Sequence, residues 1–120
     1  MKKILIIDDE PDIVKIIQKQ FMASHYEVIT ALDGEEGLEK AEREKPDLII
    51  LDIMMPKMDG YTFTRELHTK ISSGRVTTPI IVLTAKEKMQ DLFEIEGVKE
   101  YIVKPFDPAE LLEKVKKYIG

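Results

Sequence analysis

Four aliphatic runs in this chain of 120 residues end on a polar group: Asp8 and Asp9 after Ile7, Asp52 after Leu51, Thr84 after Leu83, and Lys104 after Val103. A carboxylate directly behind four buried aliphatics is costly to desolvate and requires partners or a metal. Three carboxylates roughly 5 Å apart repel by about 3 kcal/mol per pair at an effective dielectric of about 20, so a positive charge belongs among Asp8, Asp9 and Asp52. Lys104 is one source and a divalent cation is the other. Hard oxygen donors without His or Cys favour Mg2+, with Mn2+ as the alternative, over zinc, and Mg2+ keeps coordination positions open toward a phosphate. With the cation bound, Asp52 is an ionised oxygen nucleophile able to attack phosphorus and become an acyl phosphate. The cation and Lys104 would offset charge on the equatorial oxygens of a loose transition state. The Thr84 hydroxyl would donate to the transferred group.

Each residue alone has a plainer reading. Asp8 and Asp9 ahead of Pro11 suit helix capping, Thr84 suits any strand, and Lys104 suits a solvated surface. Asp52, flanked by Leu51 and Ile53, is the hardest to place at a surface. The argument rests on the four positions coming together, which depends on the elements that carry them.

Short Ile- and Val-rich runs alternate with stretches of helical period, the pattern of repeated strand-helix-strand units. The predicted strands are Lys3 to Ile7, Glu27 to Thr30, Leu48 to Leu51, Ile80 to Leu83 and Tyr101 to Val103. Pro11 opens a first helix with Ile13, Ile17 and Phe21 on its inner stripe. Asp33 with Glu36, and Asp107 with Glu110, form capping-box patterns ahead of the second and fifth helices. A third helix is expected from about Asp59 and Gly60, burying Phe63 and Leu67, and a short fourth around Met89, Leu92 and Phe93. Strands this apolar imply a parallel sheet covered on both faces, and right-handed crossovers then make a doubly wound α/β fold. In that fold all four polar positions fall on the carboxyl edge, where such sheets bind ligands.

Composition narrows the classes. A net charge of -5 argues against direct nucleic-acid binding, and 43% hydrophobic with 34% charged residues suits a soluble globule. The absence of Cys excludes thiolate chemistry and disulfides. Met1, Lys2 and Lys3 imitate an export signal, but the apolar stretch behind them stops at Asp8, so a cytoplasmic location without membrane attachment is expected. His25 and His68 are expected at the surface, and the Lys residues at 114 and 117 are expected to pair with Glu110 and Glu113.

The acidic pair Asp8-Asp9, the stretch Asp47 to Gly60 with Asp52, Pro56 and Asp59-Gly60, Thr84-Ala85, and Tyr101 followed by Lys104-Pro105-Phe106 together resemble the receiver domain of two-component response regulators. The likeness spans essentially the whole chain, 1–120. It implies a (βα)5 flavodoxin-like fold with a five-stranded parallel sheet of order 2-1-3-4-5. It further implies that Asp52 is the phosphoacceptor for a phosphohistidine on a sensor histidine kinase or phosphotransfer protein. Asp9, Asp52 and the Met54 backbone carbonyl would bind Mg2+ directly, and Asp8 mainly through water. Lys104 would contact the phosphoryl group, and the Lys104-Pro105 peptide would be cis. Thr84 and Tyr101 resemble the family's switch pair, whose movement alters the surface of helix four, strand five and helix five for a downstream protein partner. The implied role is a signalling phosphoacceptor that assists its own phosphorylation and dephosphorylation, not a metabolic enzyme. The Thr84 to Lys104 interval is slightly shorter than in the family, which bears on helix four.

The principal alternative, a Mg-dependent phosphatase of the haloacid dehalogenase type, wants a second Asp two residues after its nucleophile, where Met54 stands. A flavin carrier wants a phosphate-cradling loop after the first strand, where Asp8, Asp9 and Glu10 would repel the phosphate.

Overall fold

The computed structural model describes residues 1–52, 66, 78–84 and 98–120. Five strands, β1 (Lys3–Ile7), β2 (Glu27–Ala31), β3 (Leu48–Asp52), β4 (Ile80–Thr84) and β5 (Val98–Val103), form one parallel sheet of order β2-β1-β3-β4-β5. Three described helices, α1 (Pro11–Ala23), α2 (Gly34–Glu44) and α3 (Pro108–Ile119), lie against it. The predicted third and fourth helices, and Met54, lie outside the described residues. No helix among the described residues is long and apolar enough to cross a membrane.

Side chains alternate across the pleat, and that alternation splits the core in two. Ile4, Ile6, Leu48, Ile50, Ile81 and Leu83 pack with Val14, Ile17 and Phe21 of α1 and Leu111, Leu112 and Val115 of α3. Leu5, Ile7, Ile49, Leu51, Ile80 and Val82 pack on the opposite face with Leu38 and Ala41 of α2. The two faces together make the doubly wound arrangement expected from the sequence. The inner stripe of α1 is Val14, Ile17 and Phe21, with Ile13 only partly buried, so the expected stripe is displaced at its first member.

Local chemistry sets the ends of the helices. The Asp33 side chain accepts from Glu36 N–H at 2.8 Å, and the Glu36 carboxylate accepts from Leu32 N–H at 2.6 Å, so the box closes one residue before the cap. Asp107 accepts from Ala109 N–H at 2.9 Å, and Pro108 occupies the first turn of α3. At Gly37, α2 packs directly on the Ile7 side chain of β1: a Cβ there would stand 2.5 Å from Cδ1 of Ile7.

At the sheet edge, Glu100 gathers the cations of α3. Lys114 Nζ lies 3.2 Å and Lys117 Nζ 3.7 Å from its carboxylate, and the Tyr118 hydroxyl donates to it as well. The lysines thus turn to β5 instead of pairing along the helix. The carboxylate is held below the ordinary range: burial alone would raise it, but Tyr118 and Lys114 outweigh that. His25 is exposed, as expected, and ends α1 in the left-handed region at φ 69°, while His68 lies outside the described residues.

Candidate functional site

Parallel pairing delivers the polar residues to one edge. Ile7 is in register with Ala31 on one side and Leu51 on the other, so Asp8 and Asp52 emerge at the same level of neighbouring strands. Asp52 pairs with Leu83, and Thr84 with Val103, which brings Thr84 and Lys104 to that level from the other side. The Lys104 backbone N–H donates to the Thr84 carbonyl at 2.7 Å, and the Lys104-Pro105 bond is cis, as expected.

Carboxylate oxygens of Asp8, Asp9, Glu10 and Asp52 all lie within 4.8 Å of one another. Asp8 and Asp52 are buried, at 0% and 1% exposure, while Asp9 and Glu10 are exposed. The Lys104 ammonium sits among them and donates to Asp52 Oδ2 at 3.0 Å, Glu10 Oε1 at 3.1 Å and Asp8 Oδ2 at 3.5 Å. The side chain of Asp8 serves twice, because its Oδ1 accepts from Glu10 N–H at 2.9 Å and shapes the turn into α1. It is therefore a turn-former as well as a member of the cluster, and the helix-capping reading of the acidic pair reduces to this one bond.

Burial and crowding of charge shift the proton affinities of Asp8 and Lys104. Burial, reinforced by the Asp52 carboxylate, pushes the Asp8 carboxyl up from 3.8 to about 6, against the opposing pull of the Glu10 N–H and Lys104. Burial of Lys104 works against its charge, yet the Asp52 and Glu10 carboxylates prevail and its amine is raised. Among the described residues, one ammonium stands among four acids. The donor set is hard oxygen throughout and the strain is an excess of negative charge, so these residues fit a hard divalent cation such as Mg2+.

Thr84 is fully buried at the end of β4, and Tyr101 is half-buried in β5. Tyr101 pairs with Val82, two residues before Thr84, so the two side chains share a sheet face as diagonal neighbours. Beside the acids, a groove of about 420 Å3 runs between α1 and the β5–α3 turn, lined by Glu10, Ile13, Ile16, Lys104, Pro105, Phe106 and Pro108.

The structure brings Asp8, Asp9, Asp52 and Lys104 into one cluster and puts Thr84 on the same edge. Sequence reasoning left out one member, Glu10. It occupies the N-cap of α1, a position where Glu is a poor choice, and its side chain makes no cap bond. That mismatch was the available signal.

The family model described as response regulator receiver domain matches residues 4–116. The chain is 47% identical over 117 residues to the alkaline phosphatase synthesis transcriptional regulatory protein PhoP of Bacillus subtilis, an alignment covering 96% of this chain and 47% of that protein. It thus spans about half the length of the curated relatives it matches. Among solved structures, the chemotaxis response regulator CheY4 of Vibrio cholerae superposes with a TM-score of 0.87 at 34% identity, covering 98% of both chains. TrrA from Thermotoga maritima, in complex with Mg(2+)-BeF, superposes with a TM-score of 0.82 at 40% identity, covering 98% of this chain and 99% of that one. None of these likenesses supports the haloacid dehalogenase alternative. With its parallel sheet in the order β2-β1-β3-β4-β5 and this match along nearly its full length, the chain belongs to the response regulator receiver domain family.

Proposed function

We propose that Asp52 is the phosphoacceptor of this receiver domain and takes its phosphoryl group from a phosphohistidine on a sensor histidine kinase or phosphotransfer protein. The observation that carries the reading is the burial of the Asp52 carboxylate at the end of β3, with the Lys104 ammonium at 3.0 Å and two further aspartates alongside. An Asp52 oxygen forms a bond to phosphorus while the bond from phosphorus to the imidazole nitrogen breaks. The electron pair leaves with the imidazole, which takes up a proton from solvent.

Asp9 and Asp52 would hold Mg2+ directly, with the Met54 carbonyl as a further ligand and Asp8 acting through water. The bound cation supplies positive charge to the equatorial oxygens of the transferring group. Lys104 would follow the charge from the Asp52 carboxylate to the new phosphoryl oxygens, since it already donates to an oxygen of the carboxylate that becomes the acyl phosphate. Thr84, at the neighbouring strand end, donates its hydroxyl to the phosphoryl group, and Tyr101 responds on the same face. That movement would change the surface around β5 and α3 for a downstream protein partner, in a cytoplasmic phosphorelay. The shift depends on the phosphoryl group interacting better with one conformation than with the other.

Incubation with acetyl phosphate and Mg2+, followed by intact-mass analysis, tests the assignment. The wild type should gain one phosphoryl group and Asp52→Asn should gain none. An unmodified wild type, or equal modification of the variant, would overturn it.

A further inference from the structure

The carboxylate of Glu10 crosses from the start of α1 to Lys104, a contact between residues 94 apart in sequence at 3.1 Å. It leaves the helix N-terminus uncapped by its side chain. An ammonium has three N–H donors, and among the described residues Asp52, Glu10 and Asp8 are the three acceptors around this one. Asp8 and Asp52 are buried and fixed by the strands that carry them, whereas the Glu10 side chain is 54% exposed. Of the three, Glu10 is the acceptor that can swing into water without a desolvation cost.

We propose that Glu10 is a positioning residue that occupies, in the unmodified protein, the Lys104 donor direction that a phosphoryl group on Asp52 takes over. The inference rests on the reading of Asp52 as phosphoacceptor. Until transfer, Glu10 steadies the ammonium at the mouth of the site and competes with an anionic phosphodonor for it. Among the described residues, four carboxylates against one ammonium and a divalent cation would leave the cluster one negative charge from neutrality, and Glu10 is the acid among Lys104's partners exposed enough to be spared. On transfer, the phosphoryl oxygens draw the ammonium and Glu10 is released toward the rim of the adjoining groove, which it already lines.

The test compares wild type, Glu10→Gln, Glu10→Asp and Asp52→Asn. Initial rates of modification are measured against acetyl phosphate concentration at saturating Mg2+ and at low and high salt. Mg2+ affinity is read separately, without phosphodonor, from backbone amide chemical shifts. Glu10→Gln should lower the half-saturating acetyl phosphate concentration by about three- to fivefold at low salt, with the gap shrinking at high salt. The same variant should bind Mg2+ about two- to threefold more weakly, because the cation loses a nearby negative charge. Glu10→Asp keeps the charge on a shorter arm that no longer reaches Lys104, so it should retain wild-type Mg2+ affinity while still lowering half-saturation. An unchanged or raised half-saturation in Glu10→Gln overturns the proposal, as does a Glu10→Asp variant that matches wild type in both measurements. If wild type takes up no phosphoryl group, or Asp52→Asn takes up as much, the phosphoacceptor reading itself has failed and this inference falls with it.

Discussion

Replacing Asp8 with Asn should make the metal-free protein more stable, although it alters a fully buried polar residue. The carboxyl rises from 3.8 to about 6 on folding, so the native state holds its proton more tightly than the unfolded chain does. Stability tied to this group is therefore fullest below the unfolded value and is lost as the pH climbs through about 6. At neutral pH the linked cost is about 3 kcal/mol. The amide removes that cost and keeps an oxygen for the Glu10 N–H, but forfeits a 3.5 Å contact with Lys104. Subtracting about 1 kcal/mol for the contact leaves a net gain of about 2 kcal/mol. For a chain of this length that is a rise in Tm of roughly 8 °C. Circular dichroism melts in EDTA at about pH 7.5 and about pH 5 would measure it, and the advantage should fall by roughly two-thirds at the lower pH. An Asp8→Asn protein no more stable than wild type at neutral pH, or an advantage that ignores pH, would refute the idea that a buried charge, crowded further by Asp52, is held at a cost at this edge.

Millimolar Mg2+ should raise the Tm of wild type, and raise it less in Asp8→Asn, since binding to the folded state alone stabilises by mass action; thermal melts with and without EDTA check this. Tyr26→Phe should stabilise by about 1 kcal/mol in urea unfolding, because the buried Tyr26 hydroxyl has no hydrogen-bond partner among the described residues. Gly37→Ala should destabilise by about 1 to 3 kcal/mol in the same assay despite alanine's better helix propensity, since the added methyl overlaps Ile7. Tyr118→Phe should cost about 1 to 2 kcal/mol by removing the hydroxyl that donates to the Glu100 carboxylate, with a correspondingly lower urea midpoint.

The inner strands were legible because burial on both faces leaves an unbroken aliphatic run, as in Ile4 to Ile7 and Leu48 to Leu51. β5 was truncated in the sequence reading, which starts it at Tyr101 instead of Val98. It lies at the sheet edge, where Lys99 and Glu100 interrupt the run, and its pairing with β4 shifts register between Ile80 and Ile81. Polar strand ends were also misjudged by a residue: Asp52 and Thr84 are the last members of β3 and β4, because backbone pairing continues past the final aliphatic side chain. In the cluster, Asp8, Asp9, Asp52 and Lys104 could be gathered from the polar residues that follow parallel strands, since all such ends share one edge of the sheet. Glu10 left only the weak signal of its poor N-cap position, since its place depends on a side chain turning away from its own helix to the distant Lys104. The pairing of Lys114 and Lys117 with Glu100 escaped notice for the same reason, as helix periodicity offers only neighbours on the same helix.

The order β2-β1-β3-β4-β5 also sets a timetable for synthesis. β1 and β2 can pair as soon as residue 31 has emerged from the ribosome, but β1 stays open on its other side until β3 arrives. Asp8 and Asp52 then face each other before the ammonium that reconciles them has been translated, because Lys104 comes with the last strand. A nascent chain halted between β4 and β5 would hold Asp8 and Asp52 together without Lys104, and a dissolved cation would be the substitute that offsets their charge until the last strand docks.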